Sequence, residues 1–403
     1  MYGVAQTAGV VMPNQKTQMT RSKRPNYQKR TPFSQILLAS AAVFFVTTLG
    51  VYDSQTQAFK QATSGSNELD PTKKLADFID NEIRIPPPDV IPNQWEGLIG
   101  EYGPDDNVLH ILEHKGQLYT LIKETSIYPL REISNEVFTF SEKSLYQGEE
   151  LAFERNAEGS AYQLTFTDTV FKRRPIGTEK GKTFRIVPLR PIDELRESSL
   201  AAHPPLEDGE FQRPNLADLS KLDPNIKLDI RYATTNNFMG EVFYQQPLAF
   251  MQRPAAEALL RAHRSLKKSG YGLLIHDAYR PWHVTKMFFD ATPEKQKIFV
   301  ANPANGSRHN RGCAVDLTLY DLTTGDAVPM VGGYDEFSER SYPNYPGGTS
   351  RQRWHRELLR DTMETEGFKV NEVEWWHFDY RDWRNYQILN LTFEELQSMA
   401  ENE

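Results

Sequence analysis

The 403-residue sequence holds a single cysteine, Cys313. No intramolecular disulfide can form, so the fold must rest on its apolar core and on any bound metal. Acidic residues are missing from the first 52 positions, which carry six Lys or Arg. The apolar run from Ile36 to Val51 falls short of the ~20 residues that a membrane-spanning helix needs. With no cysteine beside it, that run is not a lipoprotein anchor. Beyond residue 52 there is no basic excess: 40 basic residues face 54 acidic ones, a balance of −14. This argues against a nucleic-acid partner and supplies no basic patch for a membrane surface.

What is present divides the chain into segments. Basic residues ahead of an apolar run are the pattern of a signal peptide or signal anchor. Residues 1–58 are therefore expected to direct export to the periplasm or cell envelope. The run would then be either cleaved, with Thr56-Gln57-Ala58 a weak match to a cleavage site, or kept as a single-helix membrane tether. Residues 59–94 read as linker. Within them Pro71 to Ile83 suits a short amphipathic helix, and Ile85-Pro-Pro-Pro-Asp-Val-Ile-Pro92 a stiff connector.

Residues 95–190 form a β-rich accessory domain. Trp95 to Gly103 is followed by short alternating segments at Val108–Leu112, Gln117–Ile122, Val137–Phe140, Glu150–Glu154, Tyr162–Phe166 and Val170–Arg173. Turns such as His114-Lys-Gly116 separate them, so a small antiparallel barrel or sandwich follows. The segment has no Ser/His/Asp or Cys/His set, and His110 and His114 alone make a poor metal site. A binding or positioning role is expected for it.

Reactive residue types gather in the last half of the chain. Ser307-Arg-His309-Asn-Arg-Gly312-Cys-Ala-Val-Asp316 is followed by Glu374-Trp-Trp-His377. Two histidines and an aspartate are candidate metal ligands, and three protein ligands plus water are what a catalytic zinc needs. Glu374 is placed to take a proton from that water. The residues alone therefore suggest a zinc hydrolase, although manganese, cobalt or iron would suit the same ligands. Ala314 to Tyr320 is a β-branched, apolar strand, and Val373 to Tyr380 also reads as one. In a regular strand Glu374 and His377 would face opposite sides, so a bulge or irregular entry is expected near Glu374.

Helices are expected over Pro254–Ser269 and Arg351–Gly367, each stopped by a glycine. Strands around 228–232, 271–276, 314–320 and 373–380 would complete an α+β domain over 205–395, with a mixed or antiparallel sheet and helices packed to one side. His276, His283 and His355 read as polar strand or helix surface. Cys313 reads as a small buried hydrophobe.

His309-x-x-Gly-x-Ala-x-Asp316 with Glu374-x-x-His377 resembles the zinc D-alanyl-D-alanine dipeptidases, the VanX-type branch of the DD-peptidase metallopeptidases. Asp229 to Gly240, Gly270 to Pro281, Asp316 to Gly325 and Tyr334 to Phe337 extend the resemblance over about residues 215–390. The resemblance implies a DD-peptidase-like fold and one zinc ion on His309, Asp316 and His377. It makes Glu374 the general base and Arg280 the stabiliser of the oxyanion. Ser307, Tyr232 and Asp335 would hold the dipeptide, with Asp335 facing the free α-ammonium. Residues 95–190 loosely resemble the β-domain appended to β-lactamase-like serine hydrolases.

The expected function is hydrolysis of D-Ala-D-Ala or a related D,D-dipeptide by metal-activated water. Two alternatives stand beside it. One is a D,D- or L,D-carboxypeptidase trimming peptidoglycan stem peptides, with the β-domain docking the polymer. The other is a non-catalytic, zinc-dependent wall-binding protein, which would have no need of Glu374 and Arg280.

Overall fold

The computed structural model describes residues 86–123, 126–175 and 183–401. The expected leader (1–58) and the helix expected over Pro71 to Ile83 lie outside the described residues. Among the described residues no helix is long and apolar enough to cross a membrane. The described residues form one compact unit built around two apolar cores.

The first core lies inside a barrel. A short helix α1 (Asn93–Glu96) precedes β1 (Gly100–Tyr102), β2 (Leu109–His114), β3 (Gln117–Ile122), β4 (Ser126–Glu132), β5 (Val137–Phe140), β6 (Glu150–Arg155), β7 (Ala161–Phe166) and β8 (Thr169–Lys172). Each strand pairs antiparallel with the next. The ends then meet: Tyr102 bridges Arg173, Gly103 N donates to Lys172 O (2.8 Å) and Arg174 N to Glu101 O (2.8 Å). The eight strands thus close into an up-and-down barrel, which removes the open edges a sandwich would leave. Leu118 and Ile122 of β3, Phe153 of β6 and Leu164 of β7 point inward and bury the apolar half of each alternating pattern.

Strand β4 was not expected, because Pro129 interrupts it. It forms because the strand changes partner there: Ser126 to Pro129 face β3, and Leu130 to Glu132 face β5. Proline cannot donate to a ladder, and such a transition tolerates it.

The second core belongs to the α+β domain. Its elements are α2 (Ile192–Leu200), β9 (Leu216–Asp218), β10 (Lys227–Leu228), β11 (Phe250–Gln252), α3 (Arg253–Lys268), β12 (Tyr271–Asp277), α4 (Trp282–Ala291), β13 (Ala314–Asp321), α5 (Ser350–Thr365), β14 (Phe368–Val370), β15 (His377–Tyr380) and α6 (Phe393–Glu401). The main sheet runs β10-β12-β13-β15-β14. Only the β10–β12 pair is parallel, so the sheet is mixed. Helix α3 carries Pro254 in its first turn and buries Ala255, Ala258, Leu259, Ala262 and Leu266, a helical i, i+3, i+4, i+7 stripe. A capping box of Thr349 and Gln352 starts α5. Helices α3 and α5 pack side by side on the sheet. Ile186 and Leu195, which precede residue 205, join this core.

Three expectations need correction. The strand expected at 228–232 is cut to two residues, and Arg231–Ala233 is a 3-10 turn. The strand expected from Val373 begins at His377, because the residues before it form a turn in which His377 N donates to Glu374 O (3.4 Å). His276 and His355 are buried rather than surface residues. Each has polar partners inside: His276 Nδ1 lies 3.3 Å from Asp229 O, and His355 Nε2 lies 3.1 Å from Tyr271 Oη.

One buried histidine also joins α3 to β12. His263 Nδ1 accepts the N–H of Leu273 (3.2 Å), and burial, followed by the nearby Lys267 charge, lowers its pKa to about 4. Its unfolded value is 6.5, so between those values the unfolded chain binds the extra proton. This contribution to stability is complete above pH 6.5 and is lost as pH falls towards 4. His263→Gln keeps an acceptor without the titration. The melting temperature of the variant is expected to fall less steeply than that of the native chain between pH 6.5 and 4, and equal slopes would contradict this.

Candidate metal centre

Three adjacent strands bring the reactive groups into line. Asp277 ends β12, Asp316 is the third residue of β13 and His377 opens β15. Asp277 pairs with Asp316 after a bulge at Ile275/Asp277, and Asp316 pairs with His377. His309 comes from the 3-10 turn His309–Arg311 that leads into β13. Gly312 ends this turn at φ 68°, a left-handed conformation that glycine adopts without strain. A Cβ there would also approach Leu216 Cδ2 to 2.9 Å.

The result is a tight triangle of ligand atoms. His309 Nε2 lies 3.1 Å from His377 Nδ1 and 3.2 Å from Asp316 Oδ1. His377 Nδ1 lies 3.0 Å from Asp316 Oδ1. These edges approach the ~3.3 Å that bonds of about 2.0–2.1 Å give in a tetrahedral zinc site. All three residues are buried. Asp316 Oδ1 has no hydrogen-bond partner, a costly state for a buried carboxylate oxygen unless a cation sits beside it. The donor set and its orphaned oxygen therefore fit a metal ion.

The far side of each imidazole is also held. His309 Nδ1–H donates to Ala278 O (2.5 Å), and His377 Nε2–H donates to Asp379 Oδ1 (2.9 Å). Both bonds leave the inward nitrogen free to ligate. Asp379 was missed in the sequence. The His377-x-Asp379 spacing on a strand was the available signal, since residues two apart share a face. Tyr334 was likewise given no role, yet its hydroxyl donates to Asp316 Oδ2 (3.2 Å).

Glu374 sits in the turn before β15, with Oε2 3.7 Å from His377 Nδ1. Burial pushes its carboxyl up to about 7; His377 opposes the rise and Asp316 adds to it. Arg280 follows β12 and is fixed from several directions. Its Nε donates to Asp277 Oδ2 (2.9 Å), and its guanidinium lies 5.2 Å from the ring centres of both Tyr232 and Phe288. Asn310 Nδ2 donates to Arg280 O (2.8 Å), which ties the arginine loop to the His309 turn. Asp277 also accepts from Tyr244 Oη (2.9 Å).

Asp335 has φ +55° and is buried. The Tyr232 hydroxyl lies 2.9 and 3.1 Å from its two carboxylate oxygens. Burial, reinforced by the Asp316 charge, holds the Asp335 carboxyl well above the usual carboxylate range. Ser307 Oγ accepts the N–H of His309 (3.2 Å).

All eight residues singled out in the sequence line one cavity of about 210 Å³: His309, Asp316, His377, Glu374, Arg280, Ser307, Tyr232 and Asp335. Phe238, Phe288, Phe299 and Phe337 supply its apolar wall. A roomier cavity of about 340 Å³ lies between the barrel and the α+β domain, away from the ligand triangle. Cys313 is buried and takes no part in the cluster; burial pushes its thiol pKa up.

A family model described as D-ala-D-ala dipeptidase, Peptidase_M15, matches residues 212–398. The D-alanyl-D-alanine dipeptidase of Escherichia coli (strain K12) is 35% identical over 174 residues, covering 43% of this chain and 89% of that protein. That of Enterococcus faecium is 35% identical over 182 residues, 41% of this chain and 90% of that protein. That of Streptomyces coelicolor is 30% identical over 186 residues, 42% of this chain and 92% of that protein. The barrel precedes the segment that the family model matches.

Loss of the carboxylate behind a metal-bound histidine typically weakens metal binding by about 10–100-fold. Asp379→Asn is expected to lower affinity for added zinc by that factor in competition with a chromophoric chelator. Unchanged affinity would remove Asp379 from the site.

Proposed function

Because this chain belongs to the D-ala-D-ala dipeptidase family of metallopeptidases, we propose that it hydrolyses D-Ala-D-Ala at a zinc centre held by His309, Asp316 and His377. The observation that carries this reading is the meeting, in one small cavity, of the ligand triangle, Glu374 and Arg280 with the buried Asp335 carboxylate. A zinc ion there would polarise the scissile carbonyl and acidify the attacking water.

The chain's own groups do the rest. Glu374 takes the proton from the attacking water and passes it to the leaving amine, a task suited to a carboxyl whose pKa lies near neutrality. Arg280 faces the carbonyl oxygen as it gains charge. Its geometry is set in advance by Asp277 and two aromatic faces, so little reorganisation is needed. Asp335 and Tyr232 hold the free α-ammonium, which would supply the charge that the buried carboxylate accepts. Ser307, beside His309, helps fix the dipeptide. A substrate with a blocked amine would leave Asp335 with the Tyr232 hydroxyl but without a cationic partner, which favours a free dipeptide over a stem peptide.

The basic leader and apolar run support a location in the periplasm or cell envelope, with the run cleaved or retained as a tether. In that setting the enzyme would recover D-alanine from wall-derived dipeptides, and the barrel would be the part that meets peptidoglycan.

The test offers the zinc-loaded protein free D-Ala-D-Ala, L-Ala-L-Ala and N-acetyl-D-Ala-D-Ala. Chelator-sensitive release of D-Ala from the free D,D-dipeptide is expected. Arg280→Ala should lower kcat by about 10²–10³, and Glu374→Ala should reduce turnover to near background. Asp335→Asn should raise KM for the free dipeptide and narrow its advantage over the acetylated one. Preferred cleavage of the acetylated peptide would instead identify a wall carboxypeptidase, and zinc binding with no cleavage a wall-binding protein.

A further inference from the structure

The segment that carries Asp335 is long and irregular. Between β13 and α5 its only helical element among the described residues is the 3-10 turn Glu339–Ser341. Yet it must hold a non-glycine residue at positive φ with its carboxylate buried. Such a conformation persists only when the surroundings over-determine it.

That restraint reaches into the barrel. Glu336, next to Asp335, is fully buried, and its Oε1 accepts from Arg340 Nε (2.6 Å). Its Oε2 accepts the N–H of Gly333 (3.0 Å). The other end of the Arg340 guanidinium, Nη1, is buried without a hydrogen bond. The charge beside it is Glu101 of β1, with Oε1 3.6 Å away. The same oxygen accepts from Tyr345 Oη (2.7 Å). Within the barrel Arg174 holds the second oxygen of Glu101 (3.2 Å).

A second barrel carboxylate, Glu113 of β2, accepts the N–H of Ser350 (2.6 Å) at the start of α5. The far side of the segment reaches the catalytic turn: the Ser341 hydroxyl donates to Glu336 O, and Trp375 N, adjacent to Glu374, donates to Ser341 O (2.8 Å).

We infer that the barrel is a positioning element of the dipeptidase site, in which Glu101, acting through Arg340 and Glu336, fixes the segment that presents Asp335 to the substrate. The inference rests on the reading of Asp335 as the ammonium partner. Glu101 touches neither substrate nor metal ligands and is a positioning residue. Removing it leaves a buried guanidinium half-compensated. The loosening then falls first on the segment that carries Asp335.

The test uses the full chain with Glu101→Ala, Glu101→Gln and the barrel-core variant Phe138→Leu, which lies outside this network. Hydrogen exchange is followed at residues 333–341, alongside kcat, KM and zinc content. Glu101→Ala is expected to speed exchange across 333–341 and raise KM for free D-Ala-D-Ala about tenfold, a larger change than any in kcat, with zinc content nearly kept. Glu101→Gln, which still accepts from Tyr345, should lie between Glu101→Ala and the native chain. Phe138→Leu should lower the melting temperature without moving KM.

Exchange at 333–341 that is unchanged in Glu101→Ala overturns the inference whatever the substrate. A KM rise of equal size in Phe138→Leu overturns it too, by reducing the effect to general destabilisation. Faster exchange in a protein that does not cleave D-Ala-D-Ala supports the positioning link and overturns the dipeptidase reading instead.

Discussion

Asp316 Oδ1 is a buried carboxylate oxygen with two imidazole nitrogens at 3.0 and 3.2 Å and no hydrogen bond of its own. Three groups rich in lone pairs gathered this closely away from water are stable only around positive charge. Much of the surrounding architecture serves that gathering. The β13–β15 register sets Asp316 against His377, the turn closed by Gly312 delivers His309, and Ala278 O and Asp379 turn the two rings. Arg280 balances the negative side of the cluster through Asp277 and Asp316.

Charge is also distributed to divide labour among carboxylates. Asp316, Glu374 and Asp335 line one cavity, but their surroundings differ. Asp316 faces two histidines, which hold its carboxyl well below the usual range despite burial. Glu374 is raised to near neutrality by burial, and Asp335, paired to a tyrosine hydroxyl, is raised well above its usual value. The proposed mechanism thus draws one ligand, one proton carrier and one receptor for a cation from the same functional group, set apart by their neighbours.

The metal motif was legible because few residue types can ligate, and because His309, Gly312 and Asp316 lie close together in the chain. The long helices were legible from Pro254 and from the glycines that stop them, Gly270 and Gly367. Other features depend on contacts that one segment does not reveal. Pro129 concealed β4, since its tolerance there comes from a change of strand partner. Val373 to Glu374 read as the irregular entry of a strand, and the structure makes it a turn that brings Glu374 beside His377. Buried His276 and His355 looked like surface residues because their partners lie far along the chain. Glu101 and Glu113 also look like ordinary solvated acids on barrel strands. Their contacts span 237 residues or more of sequence, and only the folded chain brings Glu101 to the segment around Asp335 and Glu113 to the start of α5.

The most direct test of the central claim is zinc K-edge X-ray absorption on the metal-loaded full chain, with metal stoichiometry measured on the same sample and on Asp316→Asn. The expected result is one zinc per chain, bound by nitrogen and oxygen donors with two imidazoles, and much weaker binding in the variant. A sulfur ligand, or zinc retained with the same spectrum and affinity in Asp316→Asn, would contradict a centre built on His309, Asp316 and His377.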